Sequence, residues 1–299
     1  MAEPRVIVVG AGPAGVRCAQ ALVEAGIRPT VIDEGLCDGG QIYRRQPQNF
    51  TRSYHTLYGT EARRAEALHR CFDSLRSHID YRPQMLDWNV AGGAVYVACG
   101  SERTALPYDA LIICAGATDR LMPLKGWNFA GTYTLGGTQV ALKSQACAIG
   151  RRIVFAGTGP LLYLVAAQYL KAGAGVAAVI DTSAWSYRIR VLPLLMQRPS
   201  ILGNGVALTL ALLRAHIPLY SGAVPVAVEG HPERGGGGFS FRHRGKMQTL
   251  RCDAVAMGYH LRPEAQLADL AQCEFVFDET FRQWRPRIDA DGRSTVSGI

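Results

Sequence analysis

The stretch Arg5-Val-Ile-Val-Val-Gly-Ala-Gly-Pro-Ala-Gly15 (RVIVVGAGPAG) decides the fold. Val6 to Val9 is a short β-branched apolar run, the pattern of a strand buried on both faces. It stops at Gly10-Ala11-Gly12-Pro13-Ala14-Gly15, and Val16 to Ala25 then has helical composition with no breaker before Gly26. Strand, GxGxxG and helix in that order are the dinucleotide-binding arrangement. Gly10 allows the tight turn, Gly12 lets the backbone approach a pyrophosphate, and Gly15 lets the helix lie close on the strand. The helix N-terminus then offers N–H groups and a positive dipole end to phosphate.

Working outward, Pro29 to Ile32 reads as a second strand ending in Asp33-Glu34. A carboxylate at Asp33 suits the hydroxyls of an adenosine ribose and repels a 2′-phosphate. Gly39-Gly40-Gln41-Ile42-Tyr43-Arg44-Arg45 follows, where the glycine pair lets the chain pass close under a flat ligand and the Gln41 amide can bond a cofactor edge. Arg44 and Arg45 are either solvated charges or phosphate partners. Residues 46–59 read as a loop, with His55 on the surface, and Glu61 to Leu75 as an amphipathic helix with Ala65, Leu68, Phe72 and Leu75 on one face. A glycine-broken meander is expected over 79–105. Tyr108 to Ala117 is another buried strand, whose small-residue end, Ala115-Gly116, can lie against a nucleotide.

The pattern then recurs. Arg152 to Ala156 is a strand, Gly157-Thr158-Gly159-Pro160-Leu161-Leu162 a second fingerprint, Leu161 to Lys171 a helix, and Val176 to Ile180 a strand ending at Asp181. Gly222 to Leu250 repeats the meander, with Gly235 to Gly238 as its hairpin tip. Cys252-Asp253-Ala254-Val255-Ala256-Met257-Gly258 echoes Tyr108-Asp109-Ala110-Leu111 onward. The expected fold is therefore α/β: two tandem Rossmann-like, three-layer ββα dinucleotide-binding domains, the second inserted into the first. The boundaries are set at 1–122 with 255–299 for the first and 123–254 for the second. The second fingerprint has Leu162 where the third glycine stood, so Gly157, Gly159 and Asp181 form a nucleotide site that is either working or silent. Ser186 to Tyr220 is an apolar insertion with Arg188, Arg190, Arg198 and Arg214, read as plain fold or as a partner-subunit surface.

Composition bounds the function. The chain has 299 residues, with Lys+Arg 32 against Asp+Glu 24 for a net charge of +8. Its arginines are scattered, with no basic run and no aromatic–basic ladder, so nucleic acid is not the expected partner. Eight cysteines at 18, 37, 71, 99, 114, 147, 252 and 273 form no CxxC and no metal spacing. They read as buried reduced thiols of a cytoplasmic protein, with no redox dithiol and no metal site. No signal peptide and no transmembrane run is expected.

The two fingerprints, the first acid and the GGQ resemble the two-dinucleotide-binding-domain flavoproteins, the pyridine nucleotide-disulfide oxidoreductase-like family. GGQIYRR at 39–45, GTGPLL at 157–162 and GYHLRPEAQLADLAQC at 258–273 look like the α subunits of opine oxidases, hydrogen cyanide synthase and (hydroxy)proline dehydrogenases. The resemblance implies an FAD-dependent oxidoreductase, an α subunit that relays electrons for a β subunit carrying a second flavin and the amine-oxidising site. It places Gly10, Ala11, Gly12, Pro13, Ala14, Gly15, Asp33 and Glu34 on the ADP half of FAD and Gly40, Gln41, Ala115 and Gly116 beside the cofactor. It leaves Gly157, Gly159 and Asp181 for NAD(P) or another adenine nucleotide. It names no acid–base residue. Family members continue past the equivalent of Ile299 with a strand and a Gly-Asp flavin anchor, so the chain is expected to be truncated. An NAD(P)H-dependent flavoprotein reductase and a non-catalytic nucleotide-binding scaffold are the alternatives.

Overall fold

A computed structural model describes residues 3–231, 233 and 235–299. It divides into two compact units. The first holds residues up to 45, 51–118 and 262–299; the second holds 46–50 and 119–261.

In the first unit, β1 (Val6–Val9) is flanked by β2 (Thr30–Ile32) and β7 (Ala110–Ile113), with β3 (Asp80–Arg82) outside β2, giving a parallel sheet of order β3-β2-β1-β7. All four residues of β1 are buried, as expected for a central strand covered on both faces. One face carries α1 (Pro13–Glu24) and α3 (Ala62–Leu75), where Val8, Val16, Ala19, Val31, Leu68 and Phe72 form a core. The other carries the antiparallel meander β4 (Leu86–Ala91), β5 (Ala94–Cys99) and β6 (Glu102–Pro107), whose Val90, Val95 and Val97 pack with Ile7, Val9 and Leu111. A short helix, α2 (Tyr54–Tyr58), capped by Ser53, stands where the polar composition of 46–59 suggested only loop. Its Leu57 and Tyr58 are buried against Ala65 of α3, and that packing overrides weak local propensity. His55 is exposed.

The chain leaves the first unit within β8 (Ala117–Asp119). The second unit repeats the plan with one more strand: β12-β11-β10-β16-β9, all parallel. These are β9 (Thr132–Thr134), β10 (Ile153–Thr158), β11 (Val176–Asp181), β12 (Leu219–Ser221) and β16 (Ala254–Tyr259). Helices α4 (Leu135–Ser144) and α5 (Pro160–Lys171) cover one face. The meander β13 (Val224–His231), β14 (Gly235–His243) and β15 (Lys246–Arg251) covers the other through Val228, Phe239 and Phe241. Between β11 and β12 stand α6 (Trp185–Met196) and α7 (Pro199–Arg214).

Three expectations are corrected. The second crossing falls after residue 261 and not at 254/255, because β16 pairs with β10 over Ile153 to Thr158 and closes the second sheet. Gly235 to Gly238 are not a hairpin tip but the first residues of β14. Gly235 and Gly236 pair with His231 and Gly230, and a Cβ on Gly235 would stand 2.9 Å from the Ala130 carbonyl oxygen. The cysteines are free, but Cys37, Cys99 and Cys147 are exposed, since apolar neighbours in sequence do not place a residue on the inner face. No helix among the described residues is long and apolar enough to cross a membrane.

Candidate functional site

The first glycine loop lies at the C-terminal end of β1, where a doubly wound sheet receives ligands. Gly10 has φ +99°, and a Cβ there would sit 2.5 Å from the Cys114 carbonyl oxygen at the end of β7. A Cβ on Gly15 would overlap the Gly10 carbonyl oxygen at 1.8 Å. These two glycines let α1 and β7 close on the same turn. Gly12 occupies the N-cap position with no side-chain cap, and Pro13 opens the helix, so the first-turn N–H groups are left for a ligand. Ala11 is fully buried. Asp33 accepts the Ala11 N–H at Oδ2 (2.5 Å) and the Gly35 N–H at Oδ1 (2.7 Å). The acid at the end of β2 is therefore tied to the glycine loop itself. Glu34 beside it is exposed.

Gly39 and Gly40 lie directly on this loop. The Gly39 N–H donates to the Ala11 carbonyl (2.9 Å). A Cβ on Gly40, φ +57°, would meet Gly12 Cα at 2.8 Å, so only glycine allows the two backbones to touch. Gln41 is exposed at the tip of this turn. Ala115 and Gly116 follow β7 on the far side, and Gly116 is exposed with φ +78°. The structure thus brings Gly10, Gly12, Gly15, Asp33, Gly40, Ala115 and Gly116 to one end of one sheet.

A buried polar network holds the 38–45 turn from behind, and its key member was not among the sequence candidates. His69 of α3 is 2% exposed. Its Nε2 is 2.7 Å from the Tyr43 carbonyl oxygen and its Nδ1 is 2.8 Å from the Tyr54 hydroxyl. Nε2–H donates to the carbonyl and Nδ1 accepts from the phenol, which fixes a neutral tautomer. Burial holds the imidazole below its ordinary value. Arg45 grips Asp38 with two bonds (2.7 and 3.2 Å), Asp73 at 2.8 Å and the His69 carbonyl at 3.1 Å. Arg45 is therefore a structural cation. The signal for His69 was available: it sits on the apolar face of α3, four residues after Ala65 and three before Phe72.

The second loop is built differently. A Cβ on Gly157, φ +149°, would lie 1.8 Å from the Gly258 carbonyl oxygen, so the β10–β16 closure again depends on glycine. Gly159, φ +92°, caps α5 with no side-chain cap, and the His260 ring stands 3.2 Å from where its Cβ would be. Leu162, in place of the third glycine, is fully buried in the core with Leu135, Val165 and Tyr169. Asp181 is 2% exposed and saturated. Its Oδ1 accepts the Ser183 N–H at 2.7 Å and the Ser183 hydroxyl; its Oδ2 accepts the Tyr163 hydroxyl at 2.8 Å and the Arg188 guanidinium. The same guanidinium lies over the rings of Tyr163 (5.4 Å) and Trp185 (5.3 Å). Burial foremost, and then the Asp181 carboxylate, pushes the Tyr163 phenol up to about 12.

Pyridine nucleotide-disulphide oxidoreductases match residues 4–299 of the sequence. The chain belongs to that family. Within it, an opine oxidase subunit from Rhizobium meliloti is 33% identical over 306 residues, covering 98% of this chain and 57% of the relative. Hydrogen cyanide synthase subunit HcnB of Pseudomonas aeruginosa is 30% identical over 285 residues, covering 92% of this chain and 61% of the relative. The chain thus spans about three fifths of the length of these curated relatives. Among solved structures, L-proline dehydrogenase from P. horikoshii superimposes with a TM-score of 0.67 at 16% identity, over 100% of this chain and 50% of that one. That likeness carries the fold alone.

Proposed function

We propose that this chain is the FAD-holding α subunit of an amine or opine dehydrogenase, with the flavin's ADP half on the first glycine loop. One observation carries the reading. Both loops keep their N-cap free of side chains, but the first ties its acid to the loop backbone, whereas the second has its acid filled by Arg188, Tyr163 and Ser183. A flavin bound there supplies the redox chemistry. The residues of the chain do the rest. Gly12 and the first turn of α1 receive pyrophosphate, Asp33 faces the adenosine ribose, Gly40 and Gln41 pass beside the cofactor, and Ala115-Gly116 closes the other side. Relatives named as subunits of opine oxidase and of hydrogen cyanide synthase support the amine class and the subunit role.

The purified chain should be yellow, and anaerobic NADH should leave it unbleached. Bleaching by NADH would instead identify a nicotinamide-dependent reductase with a working second site. A colourless chain that still binds ADP would leave only a nucleotide-binding scaffold. An opine or other secondary amine should reduce the flavin only when a second, amine-oxidising polypeptide is present.

A further inference from the structure

The helical pair between β11 and β12 has a surface that nothing in the fold explains. In α6 no residue is buried, although seven of its twelve are Trp185, Tyr187, Ile189, Val191, Leu192, Leu194 and Met196, all exposed. Ile189, Leu194 and Met196 are 68%, 64% and 66% exposed. At helical spacing, Trp185, Ile189, Leu192 and Met196 share one face, while Tyr187, Val191 and Leu194 lie on the opposite one. Helix α7 turns Leu212 into the core beside α5 and leaves Ile201, Val206, Leu210 and Leu213 outward. Exposed apolar area on this scale marks a contact surface.

Its charge narrows the occupant. Between Asp181 and Glu229 there is no acidic residue and there are four arginines; Arg188 is paired with Asp181, which leaves Arg190, Arg198 and Arg214 to charge the surface. A second copy of the chain would bring the same acid-free arginine set against itself, on a molecule of net charge +8. A membrane surface would cover one side of α6 and leave the opposite Tyr187, Val191 and Leu194 in water, because a helix lying in an interface needs one polar face. A helix with apolar residues on two opposite faces is covered better by a groove than by a plane. Tryptophan, tyrosine, methionine and arginine are also the residues enriched at protein interfaces.

We propose that α6, with the outward side of α7, is the docking element for a different polypeptide, one that offers an apolar groove rimmed by carboxylates. This rests on the subunit reading above. It adds which surface of the chain makes the assembly.

The test uses the full tagged chain produced in its native cells, with a photo-cross-linking phenylalanine derivative at position 194 or, as control, at Trp88, an exposed aromatic of β4. The expected result is a stoichiometric different polypeptide that cross-links from 194 and not from 88. Its retention should fall as salt rises, and Ile189→Asp with Leu194→Asp should reduce it by about tenfold or more. The melting temperature of the free chain should not drop, because α6 buries nothing. A companion polypeptide that cross-links from 88 only, or survives the double substitution, overturns the surface and leaves the subunit reading standing. No stoichiometric companion overturns both. Cross-linking of the chain to itself, or co-sedimentation with phosphatidylglycerol–phosphatidylcholine vesicles that the double substitution abolishes, also overturns the proposal.

Discussion

The two glycine loops of this chain are copies of one design with opposite treatment of the acid. Both acids accept the N–H two residues on, Gly35 in one and Ser183 in the other. They differ at the second oxygen. Asp33 turns it to the backbone of Ala11, whereas Asp181 turns it to Tyr163 and Arg188. The same fingerprint thus marks a fold twice, with one acid tied to its own loop backbone and the other held by side chains. What separates the copies is contributed from outside the motif, by an arginine on an inserted helix.

The largest expected effect breaks the first loop without touching the second. Gly15→Ala places a methyl group 1.8 Å from the Gly10 carbonyl oxygen, with Cys114 Cβ at 3.5 Å behind it. It should cost about 3 kcal/mol or more and abolish flavin content, read from the visible spectrum and from chemical denaturation. Gly157→Ala meets the same 1.8 Å conflict at Gly258. It should cost stability to a similar degree yet leave the flavin-to-protein ratio of the folded fraction unchanged. Equal flavin loss in both variants would mean that the copies do not divide the work as proposed.

Next in size is the support that His69 gives the first loop. His69→Ala strands the Tyr43 carbonyl and the Tyr54 hydroxyl, two half-buried polar groups, at a cost of about 1 to 2 kcal/mol. Flavin affinity should fall with it, and His69→Gln should recover part of both. The pH sign is set by burial, which keeps the folded imidazole below its ordinary value. Its contribution is complete above the ordinary imidazole range and is lost as pH falls through it toward the folded value. Wild type should therefore lose flavin on mild acidification more steeply than His69→Gln, measured by dialysis across that window.

The glycine loops were legible in the sequence because each glycine answers a local steric demand that spacing alone expresses. Asp33 was legible for the same reason, at the end of a strand a fixed distance on. The state of Asp181 was not, because Tyr163 and Arg188 reach it from α5 and α6, and the placement of an inserted helix is a tertiary fact. His69 was half legible, as a polar residue on an apolar helical face, but its acceptor lies twenty-six residues away in a turn. The arginine pair at 44–45 was readable as charge and not as partner.

Arg188→Ala sharpens the contrast from the other side. It frees one position on Asp181 Oδ2 and leaves Tyr163 and Ser183 in place. Binding of ADP or NAD to the flavin-loaded chain should be weak in wild type and tighten about tenfold, roughly 1.4 kcal/mol, in the variant, by titration calorimetry. Unchanged weak binding would show that Leu162, and not Arg188, closes the second loop.

The smallest effect concerns the electrostatic company of the two acids. Asp181 has a guanidinium against it, whereas near Asp33 stands Asp87 of β4, which burial foremost, with Glu34, Asp33 and Glu264, pushes up to about 6. A carboxyl raised in the folded state holds its proton more tightly there than when unfolded. Its contribution is therefore fullest at low pH, declines as pH climbs from the ordinary carboxylate range, and is gone above about 6. At neutral pH the charged Asp87 opposes folding. Asp87→Asn should thus stabilise the chain by about 1 kcal/mol at pH 7 and by nothing near pH 4, read from denaturant midpoints. The same substitution should strengthen flavin binding slightly at neutral pH if the first loop holds the cofactor's phosphates as proposed, because it removes a negative charge close to Asp33. A stabilisation of equal size at both pH values would assign the effect to packing of the amide and not to the charge beside Asp33.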